Sequence, residues 1–141
     1  MSRIFLDTNF FVYLIEGRSP KSARVRYLLQ AFSTRRDEVL TSAMTLGEIL
    51  VKPLRIGNIA LAQHYRRIFK GPGVSVLPFA ETAAEAFARI RINPGIKPPD
   101  AIQLATAAMA GCDMFLTNDE RLTSLVVPGI QFITSFDKAP F

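Results

Sequence analysis

Apolar positions along the chain fall into two rhythms. Runs of three or four residues, Ile4-Phe5-Leu6, Val39-Leu40-Thr41, Val74 to Leu77, Met114-Phe115-Leu116 and Ile130 to Ile133, have the length of buried strands. Between them the apolar residues follow helical spacing. Ser19-Pro20 is a helix start, with Val25, Leu28, Leu29 and Phe32 at i, i+3, i+4 and i+7. Ser42 caps a helix running to about Lys52, where Pro53 stops it. Asn58 caps another, with Leu61, Tyr65, Ile68 and Phe69 on one face and the Gly71-Pro72-Gly73 cluster at its end. Glu81 to Ile92 reads as a helix with Ala83, Phe87 and Ile90 inward, and Asn93-Pro94-Gly95 as a turn. Asp100 to Ala110 is so rich in alanine and other apolar residues that it belongs at the centre, closed by Gly111 in a left-handed conformation. Asp7-Thr8-Asn9 reads as polar turn chemistry after the first strand, and Asp119 to Leu125 as a short helix.

Strands alternating with helices predict an α/β sandwich of three layers, α/β/α, around a mostly parallel sheet of four to five strands. A chain of 141 residues with no repeat, linker or low-complexity tract is expected to form one domain over residues 1–141. In such a sheet ligands bind beyond the carboxyl ends of the strands. Asp7 ends the first strand and Thr117 to Asp119 the fourth, so these two carboxylates have a reason to meet across a hundred residues of chain. Glu48, inside an apolar helix, and Asp100, opening another, complete a set of four. Taken singly each has an ordinary explanation: a turn for Asp7, a solvated face for Glu48, the helix dipole for Asp100 and Asp119.

Charge changes the picture. The chain carries 17 Lys and Arg against 12 Asp and Glu, a formal +5, and if the four carboxylates share one site only eight acids remain to offset that basic surface. A basic rim around an acidic pocket suits a phosphodiester substrate. Two carboxylates about 4 Å apart repel by roughly 4 kcal/mol at an effective dielectric near 20, so a cluster of four calls for a cation. The single Cys112 excludes an internal disulfide and a cysteine-based zinc site, and His64 is the only histidine, on a helix surface. The donors are therefore oxygens, which points to Mg²⁺ or Mn²⁺. Lys21, Arg24, Arg66, Arg67 and Lys97 are candidates for steering RNA. Met1-Ser2-Arg3 leads straight into a strand and no apolar stretch reaches the roughly 20 residues that span a bilayer, so the expectation is a cytoplasmic protein without membrane association.

Four strings carry a resemblance: Phe5-Leu6-Asp7-Thr8-Asn9, the Glu of Ser42-x-x-Thr45-x-x-Glu48, Pro99-Asp100-Ala101-Ile102-Gln103-Leu104-Ala105-Thr106-Ala107, and Phe115-Leu116-Thr117-Asn118-Asp119. In order and spacing they resemble the signatures of PIN-domain nucleases over nearly the whole chain, most of all the small VapC toxins of toxin-antitoxin pairs. The resemblance implies an endoribonuclease dependent on Mg²⁺ or Mn²⁺, with Asp7, Glu48, Asp100 and Asp119 catalytic, Asp7, Asp100 and Asp119 holding metal, and Thr117 and Asn9 in support. It also implies a homodimer and a cognate antitoxin. One departure is local: Ile96-Lys97-Pro98-Pro99 precedes Asp100 where many relatives carry a basic residue closer to it. Similar domains also act in RNA processing without a toxin role, and a noncatalytic binding module on the same fold is the alternative from another class. A phosphatase that opens on strand and aspartate would want a second acid two residues later, where this chain has Asn9.

Overall fold

A computed structural model describes residues 1–141. Five strands, β1 (Arg3–Leu6), β2 (Glu38–Ser42), β3 (Ser75–Leu77), β4 (Cys112–Thr117) and β5 (Ile130–Ser135), form one sheet in the order β3-β2-β1-β4-β5, every pairing parallel. This is the α/β/α sandwich around a parallel sheet that the alternation of strands and helices predicts. Chain order runs outward from β1 through β2 to β3, then returns to β4 on the other flank. Such a reversal opens a crevice at the carboxyl ends of the two central neighbours, β1 and β4.

Six helices cover both faces: α1 (Thr8–Glu16), α2 (Pro20–Arg35), α3 (Ala43–Arg55), α4 (Ile59–Lys70), α5 (Ala84–Arg91) and α6 (Pro98–Ala110). The sidedness follows from the pleat. Alternate residues of β1 point to opposite faces, so Ile4 and Leu6 join one core with Phe10, Phe11, Val25, Leu28 and Phe32, while Phe5 joins the other with Leu104, Ala107 and Phe115. Phe5 and Phe115 stack at 5.2 Å between neighbouring strands. With both faces buried, β1 and β4 must be nearly continuous apolar runs, and they are.

Several boundaries differ from the sequence reading. The segment after Asp7 is no turn: Asp7 is the N-cap of α1, its carboxylate accepting from the Asn9 backbone N–H at 3.1 Å, and Gly17 closes the helix at φ 71°. The apolar run Phe10 to Ile15 shows no helical stripe because α1 is apolar all round, with Phe10 and Phe11 in the core and Val12 and Ile15 toward a groove. Pro53 does not stop α3, which continues to Arg55 with Pro53 buried. Glu81–Ala83 is a 3-10 turn leading into α5, and the helix expected from Asp119 is a 3-10 turn over Glu120–Ser124 with Asp119 as its cap. Helix α6 starts at Pro98 rather than Asp100, and Ser42 makes no side-chain cap bond to α3, while Ser19 and Asn58 cap α2 and α4 through Ser22 and Leu61 N–H groups and Gly111 ends α6 at φ 68°.

Candidate functional site

Main-chain bonds at the sheet's carboxyl edge set the site. The Asp7 N–H donates to the Leu116 carbonyl at 3.2 Å, fastening the end of β1 to β4, and the Thr41 hydroxyl donates to the Leu6 carbonyl at 2.8 Å from β2. Asp7 is thereby fixed between two strands and buried. Desolvation pushes its carboxyl up to about 7, against hydrogen bonds from Thr117 and the Asn9 and Phe10 N–H groups, and the nearby charge of Asp100 adds to the rise. Thr117, the last residue of β4, also accepts from the Asp119 N–H at 3.0 Å, so one hydroxyl links the turns carrying Asp7 and Asp119.

Asp100 stands in the first turn of α6, half-buried. Desolvation raises its carboxyl first, the Asp119 charge next, with Glu48 adding, while Arg121 and Lys97 oppose. Glu48 is exposed on α3 and its direction is set by Thr8, whose hydroxyl donates to it at 2.7 Å. Behind this pair lies a buried polar cluster. The Gln103 amide on α6 donates to Thr45 at 2.7 Å and to Thr8 at 3.1 Å, and its oxygen accepts from Ser42. The Ser42 hydroxyl is thus engaged across the molecule rather than in capping α3.

Asp7, Thr8, Asn9, Glu48, Pro99, Asp100 and Gln103 line a cavity of about 110 Å³ with no apolar residue among them. Asp119 lies outside that lining, turned onto Arg121, which holds its carboxyl below the usual range. No three His, Cys, Asp or Glu side chains close on one point as a ready-made ion cage. Asp119 is drawn aside by Arg121, whereas Glu48, bonded to Thr8, stays in the lining. The donor set nevertheless fits a hard divalent cation in kind: it is all oxygen, two carboxyls are raised by burial and mutual repulsion, and no ion pair involves Asp7, Glu48 or Asp100.

The basic candidates separate. Lys21 donates to the Asn118 side chain at 2.6 Å, and Asn118 donates to the Tyr13 hydroxyl at 3.3 Å, which places Lys21 beside the strand end that carries Asp119. The charge of Lys97 reaches Asp100 and Asp119. Arg24 is committed elsewhere: its guanidinium binds the Phe136, Ala139 and Phe141 carbonyls and ties down the C-terminal segment. Arg66 and Arg67 lie on α4, and neither forms an ion pair with any of the four carboxylates. Sequence reasoning missed three members, Thr8, Gln103 and Arg121. The sequence signal for Arg121 was its place two residues after Asp119; Thr8 and Gln103 are joined only by the fold.

A second cavity, of about 250 Å³, is apolar and opens between α1, α3 and α4, with Val12, Ile15, Ile49, Ile56, Leu61 and Tyr65 in its wall. Glu48 lies on its rim as well as on that of the acidic cavity, so the two are neighbours.

The PIN-domain family model matches residues 4–127. Among solved structures, VapBC2 of Rickettsia felis bound to a promoter DNA fragment aligns at TM-score 0.75 and 15% identity, over 94% of this chain and 98% of its own. A toxin-antitoxin complex of Klebsiella pneumoniae aligns at TM-score 0.70 and 23% identity, covering 90% and 94%. VapC20 of Mycobacterium tuberculosis, a toxin that cleaves the sarcin-ricin loop, aligns at TM-score 0.67 and 20% identity, covering 87% and 96%. No curated protein sequence matches the chain.

Proposed function

The chain belongs to the PIN-domain family, and from that premise we propose that it is a divalent-metal-dependent endoribonuclease, one domain long, and the toxin of a toxin-antitoxin pair. The observation that carries this reading is Asp7: a carboxylate fixed at the crevice between β1 and β4, buried, and without a cationic partner. Burying such a charge alone is unfavourable, and a fold that keeps it there beside Asp100 favours a positively charged ligand.

In this reading Asp7, Asp100 and Asp119 hold Mg²⁺ or Mn²⁺, which when bound neutralises charge on the phosphodiester and eases deprotonation of an attacking water. The remaining work belongs to the chain. Thr117 keeps Asp7 and Asp119 in register, Thr8 holds Glu48 at the mouth of the cavity where it can orient a water, and Asn9 fixes the Asp7 carboxylate through its backbone N–H. Lys21 and Lys97 flank the acids and draw in the RNA backbone.

The antitoxin's place is the apolar groove between α1, α3 and α4. Its wall is built for an amphipathic helix, and its continuity with Glu48 lets an occupant obstruct the acidic cavity. Several solved structures of this fold are toxin-antitoxin complexes, which supports such a partner. A homodimer is part of the same proposal, measurable by light scattering. No helix is long and apolar enough to cross a membrane.

Incubation with single-stranded RNA tests the chemistry. Cleavage is expected with Mn²⁺ or Mg²⁺, none in EDTA, and a loss of at least about a hundredfold in Asp7→Asn and Asp100→Asn, the scale of removing a group that stabilises transition-state charge. Cleavage that survives EDTA or both substitutions would sink the reading. Induction in cells tests the toxin role separately: wild type arrests growth, Asp7→Asn does not, and equal growth would remove the toxin while leaving the nuclease.

A further inference from the structure

Of the four acids at the carboxyl edge, Asp119 alone already holds a cation. Arg121 Nε donates to its Oδ1 at 3.0 Å and Nη2 to its Oδ2 at 2.7 Å, and the Arg121 backbone N–H also donates to Oδ1 at 3.0 Å. The fork engages both carboxylate oxygens, and it is the 3-10 turn beginning at Glu120 that folds Arg121 back over the residue two before it. Nothing else holds the guanidinium: its side chain is 67% exposed and makes no other hydrogen bond or ion pair. An ion bound by Asp119 must share an oxygen that already accepts from Arg121, and two cations pressed on one carboxylate repel.

We propose that Arg121 is a displaceable counter-ion, which occupies Asp119 until a divalent cation takes that carboxylate, and which once released binds a phosphate of the RNA strand. The proposal rests on the metal-dependent nuclease reading and adds a residue to it. Geometry makes the exchange easy. The pair is between neighbours in sequence at the surface, so it breaks by rotation of one exposed side chain without moving the backbone. Released, the guanidinium remains tethered two residues from Asp119, where a phosphodiester held at the acids would place its non-bridging oxygens, and a planar fork suits them. In the free protein the same contact keeps the acidic edge partly neutralised. Arg121 is thus a positioning residue in one state and a substrate-binding residue in the other.

Removing it has effects of opposite sign, which a purely structural role would not produce. By calorimetry Arg121→Gln is expected to bind Mn²⁺ about three- to fivefold more tightly, the range of an exposed ion pair removed from competition. By fluorescence anisotropy with labelled single-stranded RNA in Ca²⁺, its integrity checked on a gel, the same variant is expected to bind RNA more weakly, with the salt slope smaller by about 0.7, one phosphate contact. Arg121→Lys keeps the charge and loses the fork, so it tightens Mn²⁺ while retaining more of the RNA affinity. In an Asp119→Asn background Arg121→Gln leaves Mn²⁺ affinity unchanged. Unaltered or weaker Mn²⁺ binding by Arg121→Gln, where the wild type binds, would overturn the exchange alone. Tighter Mn²⁺ with unaltered RNA binding would overturn the phosphate contact. No Mn²⁺ binding by folded wild type would overturn both the exchange and the nuclease reading beneath it.

Discussion

The two edges of the sheet treat charge in opposite ways. At the amino edge every acid is answered where it stands. Asp37 accepts from the Ser2 N–H and from Arg35, Glu38 pairs with Arg3 at 2.8 Å, and Asp113 accepts from the Arg3 N–H at 2.7 Å. At the carboxyl edge, Asp7, Asp100 and Glu48 crowd together with no basic side chain in contact, and only Asp119 is paired. Both edges belong to the same strands and were built by the same main-chain pairing. Compensated charges tie elements together, and uncompensated ones lower stability until something binds, which is the physical ground for proposing a ligand at the carboxyl edge.

That contrast can be broken at either edge. The largest effect on stability is expected from Asp7→Asn, which removes the buried charge and should raise the metal-free protein's resistance to urea at pH 8 by on the order of 1–3 kcal/mol. The same group sets the pH dependence. Unfolded, Asp7 loses its proton near the ordinary 3.8; folded, it keeps the proton up to about 7. Between these values the folded state binds more protons than the unfolded one, so metal-free stability falls as pH rises from about 4 to about 7. Asp7→Asn should flatten that slope, and Mn²⁺ should offset it at pH 7 and above, with affinity weakening as protons compete below pH 7. A slope unchanged in Asp7→Asn would assign the pH dependence to other groups.

A stability effect of comparable size and opposite sign is expected at Gln103. Gln103→Leu leaves the buried Ser42 hydroxyl without its partner and Thr45 with only Thr8, and should cost about 1–3 kcal/mol in urea unfolding. It also frees Thr8, so Glu48 loses its fixed direction and turnover should fall more than RNA affinity. At the amino edge, Arg3→Ala should cost only about 0.5–1 kcal/mol and leave RNA cleavage unchanged, since that pair is half-exposed and far from the acids. Equal loss of activity from Arg3→Ala and Gln103→Leu would erase the distinction between the two edges.

As candidates, Asp7 and Asp119 were legible from their places at strand ends, and Glu48 and Asp100 mainly through the family resemblance. Their strand and helix settings were legible from the local apolar pattern. Helix α1 was not, because its run Phe10 to Ile15 is apolar throughout and leaves no polar face to mark the period, and Phe10, Phe11 and Ile15 look equally like strand residues. Arg24 looked like one more surface cation, yet it binds three carbonyls from a segment more than a hundred residues away. No local pattern reports such a partner.

The sequence by itself determined the strands, the caps at Ser19 and Asn58, the left-handed stop at Gly111 and the identity of the acids, since these depend on neighbours within a turn or a pleat. Tertiary structure alone decided that β1 lies between β2 and β4, that Gln103 joins Thr8, Thr45 and Ser42, and that Asp7 is buried without a counter-charge while Asp119 has one. Electrostatic character is set by burial and by what lies within a few ångströms. Those quantities exist only once distant segments have packed, so four carboxylates alike in sequence become unlike in chemistry.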